Sequence, residues 1–402
     1  FVELKYTRHG PVVFQDIKSN RLYAIKAGWQ ETGCAPYLSS LRMNQAKNWQ
    51  EFRQACTYSR IPGENMIWAD KSGHIVWQAA GLSPIRKNWS GLVPVPGDGR
   101  YEWGGYLPIA LLPNKIDPKE GYVATANNNM TPNDYPYRNA IGWTWTNPVR
   151  AHRIEEVLAS GKKHTLADFA QLQNDHVSLN ARFLVPLLKR IKIDPKYQNF
   201  KQMLENWESF ALDPESVEAT IYVEWERLLK DKLYQMAVSE KSRKYLNTIP
   251  TKILTDWIIT PPPFLGPNPV LSRDSLLTNS FGQAIENIRK KLGDDVNKWQ
   301  YGQEKNKHIR LTHALSEWVE DSALLEKINL GPIPRGGYAE TVNNTSNNLN
   351  QNHGASFKII VDTENWDKTL GMNSPGQSGD PRSTHYSDLF NLWGTGGYFP
   401  VY

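Results

Sequence analysis

The feature that most constrains this chain is a change in hydrophobic periodicity along its 402 residues. Residues 1–145 carry short apolar runs separated by turn residues, a pattern typical of strands. Residues 146–335 carry apolar residues at the i, i+3 and i+4 spacing of amphipathic helices. Residues 336–402 return to strand-like sequence. This order predicts one α+β fold with a largely helical insertion rather than three independent domains.

Within residues 1–145, local patterns predict individual elements. Residues 22–28 are expected to form a strand and residues 44–60 a helix. The segment 64–81 consists of two apolar runs joined by Asp-Lys-Ser-Gly, which predicts a hairpin. The segment 93–108 is dense in glycine, proline and aromatic residues and is expected to be an ordered loop. The run 122–126 has the β-branched content and length of a short strand.

The helical part is expected to begin with Thr146 or Asn147 as the N-cap and Pro148 at the first helical position. Four further segments keep a helical apolar stripe: 164–177, 178–191, 197–210 and 218–238. The proline-rich segment 260–269 is expected to be a loop that interrupts them. After the helices, residues 356–362 predict a strand that returns to the β-rich core.

Composition excludes several classes of protein. Lysine and arginine number 46 against 41 acidic residues, a net charge of +5 that is spread along the chain. Because no block of five or six basic residues occurs, nucleic-acid binding is not indicated. No apolar run approaches the roughly 18 residues of a membrane span. Fifteen tryptophans and eighteen tyrosines are compatible with a large pocket or subunit interface, and equally with a tryptophan-rich core.

The two cysteines leave their state open. Cys34 and Cys56 flank the helix predicted over residues 44–60. They could form a disulfide in an oxidising compartment, and free thiols are an equally good interpretation.

The most informative polar residues are three consecutive asparagines that follow the predicted strand 122–126. The side-chain NH₂ of Asn127 could donate a hydrogen bond to a developing oxyanion. Arg150 follows 23 residues later, in the first turn of a predicted helix. Because arginine only donates hydrogen bonds, it could hold the amide oxygen of Asn127 and fix the amide's orientation. A turn asparagine and a helix-capping arginine are the more common explanation of these residues taken alone.

Short sequence words in a fixed order resemble the penicillin acylase (penicillin amidase) family of N-terminal nucleophile hydrolases, which includes acyl-homoserine lactone acylases. The words are YTRHGPVV (6–13), AKNWQEF (46–52), the segments 64–81 and 93–108, GYVATANN (121–128), DYP (134–136), RAHRIEEVL (150–158), PGQSGDPRSTHYSD (375–388) and LW (392–393). The resemblance covers nearly the whole chain. It implies a four-layer αββα fold with a helical insertion, of which this chain is the C-terminal part of the large (β) subunit.

The resemblance also implies a reaction. Such enzymes are heterodimers that form by autocatalytic cleavage of a precursor, and the nucleophile is a serine at the new N-terminus of the large chain. The serine's own α-amine serves as the base, since it is substantially neutral at working pH and within reach of the hydroxyl. The expected activity is cleavage of the amide bond of N-acylated substrates such as penicillins, cephalosporins or acyl-homoserine lactones. The expected location is periplasmic or extracellular.

By the same resemblance Asn127 is the side-chain donor to the oxyanion hole, and Arg150 is the arginine that orients it. Asn128 is the alternative to Asn127, because the turn before DYP is one residue longer than in well-known members. The family also carries a structural calcium ion. Asn139 and a backbone carbonyl near Gly91 are the expected ligands from this chain, although Asn139 stands where the family often has aspartate, which lowers the ligand charge.

The chain departs from the family pattern at Phe1, which carries no nucleophilic group. The serine is expected upstream of the YTRHG word. The small (α) subunit and the N-terminal part of the large subunit are therefore the expected partners, and a small N-acyl molecule is the expected substrate. The alternative is a non-catalytic binding or scaffold relative that lacks the nucleophile. The residue that opens the large chain discriminates the two hypotheses, because an enzyme needs Ser, Thr or Cys there.

Overall fold

The computed structural model describes residues 3–35 and 37–401. Phe1, whose lack of a nucleophilic group was noted above, lies outside the described residues. The chain divides into two compact units, residues 1–146 and residues 147–402. The division into three functional segments at residues 145 and 335 stays a prediction.

The first unit is built mainly from short antiparallel strands. Its strands are β1 (Tyr6–Thr7), β2 (Gly10–Asp16), β3 (Arg21–Ala24), β4 (Glu64–Ala69), β5 (Ile75–Ala80), β6 (Ser83–Arg86), β7 (Trp103–Leu107) and β8 (Asn114–Ile116), and its helices are α1 (Ser40–Met43) and α2 (Trp49–Cys56). They form sheets of order β1-β2-β3, β4-β5-β8 and β6-β7.

The hairpin predicted over residues 64–81 is confirmed as β4 and β5, which pair from Glu64 with Ala80 to Ala69 with Ile75. Asp70 fixes the turn, because its side-chain oxygen accepts hydrogen bonds from the backbone N–H groups of Ser72 (2.8 Å) and His74 (3.2 Å). β5 is central in its sheet and its middle residues are buried.

Helix α2 confirms the helix predicted over residues 44–60 but is shorter. It begins after Asn48, whose side chain caps it by accepting from the N–H of Glu51 at 2.9 Å. Cys56 at its end is fully buried and joins the core of the first unit. Cys34 and Cys56 are both free thiols in the structure.

Two sequence-based expectations in this unit are wrong. Residues 122–126 form no strand. Strands β4 and β8 occupy both edges of β5. Residues 122–126 contact β4 through a side-chain hydrogen bond instead, in which Asn65 Nδ2 donates to Thr125 Oγ1 at 3.3 Å. Residues 103–107 of the expected loop form strand β7, because β6 supplies an antiparallel partner for them.

The second unit is mostly helical. Its helices are α3 (Val149–Leu158), α4 (Leu166–Gln173), α5 (Leu179–Leu184), α6 (Gln198–Glu205), α7 (Val217–Ala237), α8 (Glu240–Arg243), α9 (Thr251–Ile259), α10 (Pro269–Leu292), α11 (Ser322–Ile328) and α12 (Phe390–Gly394). Its strands are β9 (His308–Leu311), β10 (Leu330–Pro334), β11 (Phe357–Ile360), β12 (Leu370–Asn373) and β13 (Phe399–Pro400). They form antiparallel sheets of order β10-β9 and β11-β12-β13.

Aromatic side chains contribute to the core of the second unit, where α7 packs against α10. Trp225 meets Phe281 edge to face, with ring centroids 5.8 Å apart. Trp299 stacks on Phe200 at 5.2 Å. The tryptophan-rich core that composition allowed is therefore present in this unit.

Helix boundaries in the second unit follow their caps. Thr165 and Asp168 form a capping box at the start of α4. Helix α3 begins at Val149, and Pro148 is its N-cap, so the predicted cap at Thr146 or Asn147 is wrong. The Thr146 hydroxyl instead donates to the carbonyl of Asn127 at 3.0 Å.

None of the helices within the described residues is long and apolar enough to cross a membrane.

Candidate active site

The candidate site begins at the asparagine turn of the first unit. Asn127 has a φ of 63°, a left-handed conformation that asparagine tolerates better than most residues. Its carbonyl accepts two hydrogen bonds from Thr146, one from the backbone N–H at 3.2 Å and one from the hydroxyl at 3.0 Å. The backbone of Asn127 is therefore fixed by a residue 19 positions away in sequence.

The two following asparagines form the turn itself. The side-chain oxygen of Asn128 accepts from the backbone N–H of Ala126 at 2.9 Å, and its Nδ2 lies 3.4 Å from the sulfur of Met130. The side-chain oxygen of Asn129 accepts from the N–H of Thr131 at 3.0 Å. These local bonds give the second and third asparagines a structural role in the turn.

A cavity of about 740 Å³ lies beside this turn, within the first unit. Its size is that of a small-molecule site. Both Asn127 and Asn128 line it. Apolar side chains form much of the remaining wall: Trp77, Leu82, Leu112, Met130, Ile141 and Trp145. The geometry thus places the predicted oxyanion donor, and its alternative, on the wall of a mostly apolar cavity.

Arg86, at the end of β6, lines the same cavity and was not predicted as a site residue. Its Nη2 donates to the carbonyl of Ile141 at 2.5 Å. Its Nε is buried and has no hydrogen-bond partner among the described residues. Burial lowers the pKa of Arg86 below its ordinary value. No motif in the sequence marks this arginine, because Ile141 lies 55 positions away.

Arg150, the second predicted catalytic residue, lies in the first turn of α3 in the second unit. Burial lowers the pKa of its guanidinium, while the carboxylate of Glu340 acts in the opposite direction. Burial also raises the pKa of Glu340, and the positive charges of Lys230 and Arg150 oppose this rise. Glu340 was not predicted as a site residue. Because Asn127 and Arg150 belong to different units, the interaction between them stays a prediction.

The two expected calcium ligands, Asn139 and the carbonyl near Gly91, both belong to the first unit. Asn139 is exposed. A Cβ at Gly91 would lie 3.1 Å from Cδ of Arg86 and 3.2 Å from its Nε, so a guanidinium already lies against this backbone. A fixed positive charge there opposes a second cation. The described residues also contain no group of three or more His, Cys, Asp or Glu side chains that could hold a metal. Calcium binding stays a prediction.

Comparison with solved structures identifies the class of fold. The chain superposes on a thermostable penicillin G acylase from Alcaligenes faecalis with a TM-score of 0.74 and 19% identity, covering 99% of this chain and 75% of that one. The predicted α+β fold of the N-terminal nucleophile hydrolases is thereby confirmed.

Sequence comparison gives the family. The penicillin amidase family model matches residues 1–402, and the chain belongs to that family. It is 26% identical to the acyl-homoserine lactone acylase QuiP of Pseudomonas aeruginosa, over 98% of this chain and 52% of that protein. It is also 26% identical to the penicillin acylase 2 proenzyme of Pseudomonas sp. strain SE83, over 98% of this chain and 51% of that protein. The chain thus spans about half the length of the curated relatives that it matches.

Proposed function

We propose that this chain is part of an acylase that hydrolyses the amide bond of N-acylated substrates, through an acyl-enzyme on an N-terminal serine located outside this chain. The observation that carries the proposal is the position of Asn127, held in a fixed turn on the wall of a substrate-sized cavity. Family membership supplies the reaction class, because the related proteins are named acylases.

The chemistry follows from the groups involved. The serine hydroxyl attacks the amide carbonyl while its α-amine accepts the proton and later delivers it to the leaving amine. The negative charge that develops on the carbonyl oxygen needs donors fixed in advance, since reorganisation during the reaction would raise the barrier. Asn127 Nδ2 supplies one such donor. The two hydrogen bonds from Thr146 fix the backbone from which this donor extends.

Arg150 holds the amide oxygen of Asn127 in this proposal. A guanidinium donates hydrogen bonds and accepts none, so it fixes which end of the amide points to the substrate. Its partial burial supports this role, because a desolvated cation interacts more strongly with a nearby dipole than an exposed one does. Glu340 limits the loss of basicity that burial causes.

The whole protein is proposed to be a heterodimer made from one precursor. The partners of this chain are then the small (α) subunit and the N-terminal part of the large subunit. We place it in the periplasm or outside the cell, and its substrates are small N-acyl molecules such as penicillins, cephalosporins or acyl-homoserine lactones.

An acyl-donor panel on the complete, processed protein tests the proposal, with N-terminal sequencing of the large subunit alongside. Release of the free amine from at least one aromatic, aliphatic or dicarboxylic N-acyl compound is expected, together with Ser at the start of the large subunit. A large subunit that opens on a residue other than Ser, Thr or Cys, with no amine released, would instead support the non-catalytic binding relative.

A further inference from the structure

Arg86 is the charged side chain in the cavity wall. The other wall residues that the structure describes are apolar, hydroxyl or amide side chains and glycine. Among the described residues no carboxylate lies within ion-pair distance of Arg86, although many other arginines of the chain have such a partner, as Arg100 has in Asp98. The cavity therefore presents one positive charge with no counter-charge supplied by the part of the chain that the structure describes.

The guanidinium is also held in one orientation. The bond from Nη2 to the carbonyl of Ile141 uses one of its five N–H groups. The backbone at Gly91 packs against Cδ and Nε, where the absence of a Cβ leaves room for the arginine. A planar donor that is fixed in this way loses little conformational entropy when it binds a ligand.

Partial burial makes this cation selective. Removing a guanidinium from water without a compensating anion is unfavourable. A carboxylate that enters the cavity would form charge-assisted hydrogen bonds and also neutralise the positive charge, whereas a neutral acceptor would form hydrogen bonds without neutralising it. The apolar wall formed by Trp77, Leu112 and Met130 suits the rest of such a ligand.

We propose that Arg86 binds a carboxylate of the substrate, so that the cavity selects N-acyl compounds that carry a carboxylate over neutral ones. This inference rests on the proposed acylase function and specifies its substrate class. The carboxylate can belong to the amine half or to the acyl half of the substrate, and matched substrates distinguish the two sources.

The test measures kcat/KM on the complete, processed protein with two matched pairs. The first pair is an N-acyl-homoserine and its neutral lactone, which differ in a carboxylate on the amine side. The second pair is an N-glutaryl and an N-pentanoyl amide of the same amine, which differ in a carboxylate on the acyl side. For one of the pairs, Arg86→Met is expected to lower kcat/KM of the charged member by roughly 10- to 100-fold, which is the range for losing a hydrogen bond to a charged group. For the neutral member of that pair, kcat/KM should change less than about threefold.

Two controls accompany this variant. Arg86→Lys keeps the charge without the planar fork and should fall between wild type and Arg86→Met. Arg100→Met removes an exposed arginine outside the cavity and should change neither member of either pair. Equal loss on charged and neutral members in both pairs overturns the inference.

A second comparison decides the matter if Arg86→Met does not fold. Thr131 lines the cavity, and Thr131→Asp adds a carboxylate to its wall while Arg86 stays in place. Thr131→Asp should lower the charged-to-neutral ratio of kcat/KM at least fivefold relative to Thr131→Asn, which has the same shape and no charge. An unchanged ratio refutes the role of Arg86. If the ratio is unchanged and neutral substrates are turned over normally, the acylase proposal stands and the carboxylate site alone fails, whereas no turnover of any amide by the wild-type protein refutes the acylase proposal itself.

Discussion

Replacement of Asn127 is the most informative perturbation of the candidate site. Loss of one oxyanion donor typically costs about 3 kcal/mol of transition-state stabilisation, which corresponds to a decrease in kcat of about a hundredfold or more. The left-handed φ of 63° adds a separate effect on stability, since a residue such as alanine is strained there by about 1 kcal/mol. The two effects can be separated by the choice of substitution.

Asn127→Asp keeps the shape of the side chain and removes its N–H donors, and Asn127→Gly removes the side chain and accepts the left-handed backbone. Both variants, and Asn127→Ala, are expected to lose about a hundredfold or more in kcat, while only alanine lowers the melting temperature through backbone strain. The assay is amine release by the complete, processed protein, with calorimetry of each variant. Asn129→Ala is the matched control in the same turn. Asn127→Asp and Asn127→Gly enzymes that retain wild-type kcat within about threefold would refute the donor role and leave Asn128 as the candidate.

Three further predictions concern the second unit, and calorimetry or chemical denaturation of the complete protein checks each. Burial raises the pKa of the Glu226 carboxyl from 4.5 to about 7. The contribution of this group to the free energy of unfolding is therefore complete below pH 4.5 and is lost as the pH rises toward 7. Glu226→Gln should flatten this decline, and a variant whose stability falls with pH in parallel with wild type would contradict the prediction. Burial lowers the pKa of the Lys307 ammonium from 10.5 to about 7. The free energy of unfolding should therefore rise as the pH increases from 7 to 10.5, and Lys307→Met should remove that rise. A rise of wild-type size in the variant would show that another group causes it. Trp225→Ala should lower the free energy of unfolding by about 3 to 5 kcal/mol, because Trp225 is buried. Trp318 is 81% exposed, so Trp318→Ala should lower it by less than about 1 kcal/mol. Equal losses for the two variants would contradict the assigned core.

Local sequence patterns predicted the elements whose causes are local. The hairpin over residues 64–81 was predictable because Asp70 and the turn that follows it determine its reversal. Helix α2 was predictable from its apolar face, while its start depends on the cap at Asn48. The strand 356–362 was also predicted, and it forms as β11.

Elements that depend on distant partners were not predictable. Residues 122–126 have strand composition but no free strand edge at β5, and residues 103–107 have loop composition but pair with β6. In each case a non-local pairing overrides the local preference. Sequence alone contains no signal that would reveal which strand edge is available.

The candidate site shows the same limit. Asn127 could be proposed from the family pattern, but its backbone is fixed by Thr146, which no turn rule would connect to it. Arg86 could not be proposed, because its significance arises from the carbonyl of Ile141, the packing at Gly91 and the absence of a counter-charge among the described cavity residues. Burial and charge balance are properties of the folded unit.

An acyl-enzyme on a serine outside this chain can be detected by mass spectrometry of the complete, processed protein, quenched during turnover of an N-acyl substrate. We expect one acyl group on the N-terminal peptide of the large subunit, attached to the serine hydroxyl, and stronger accumulation when water is limiting. Turnover without any acyl adduct, or an adduct on a residue of the chain described here, would contradict it.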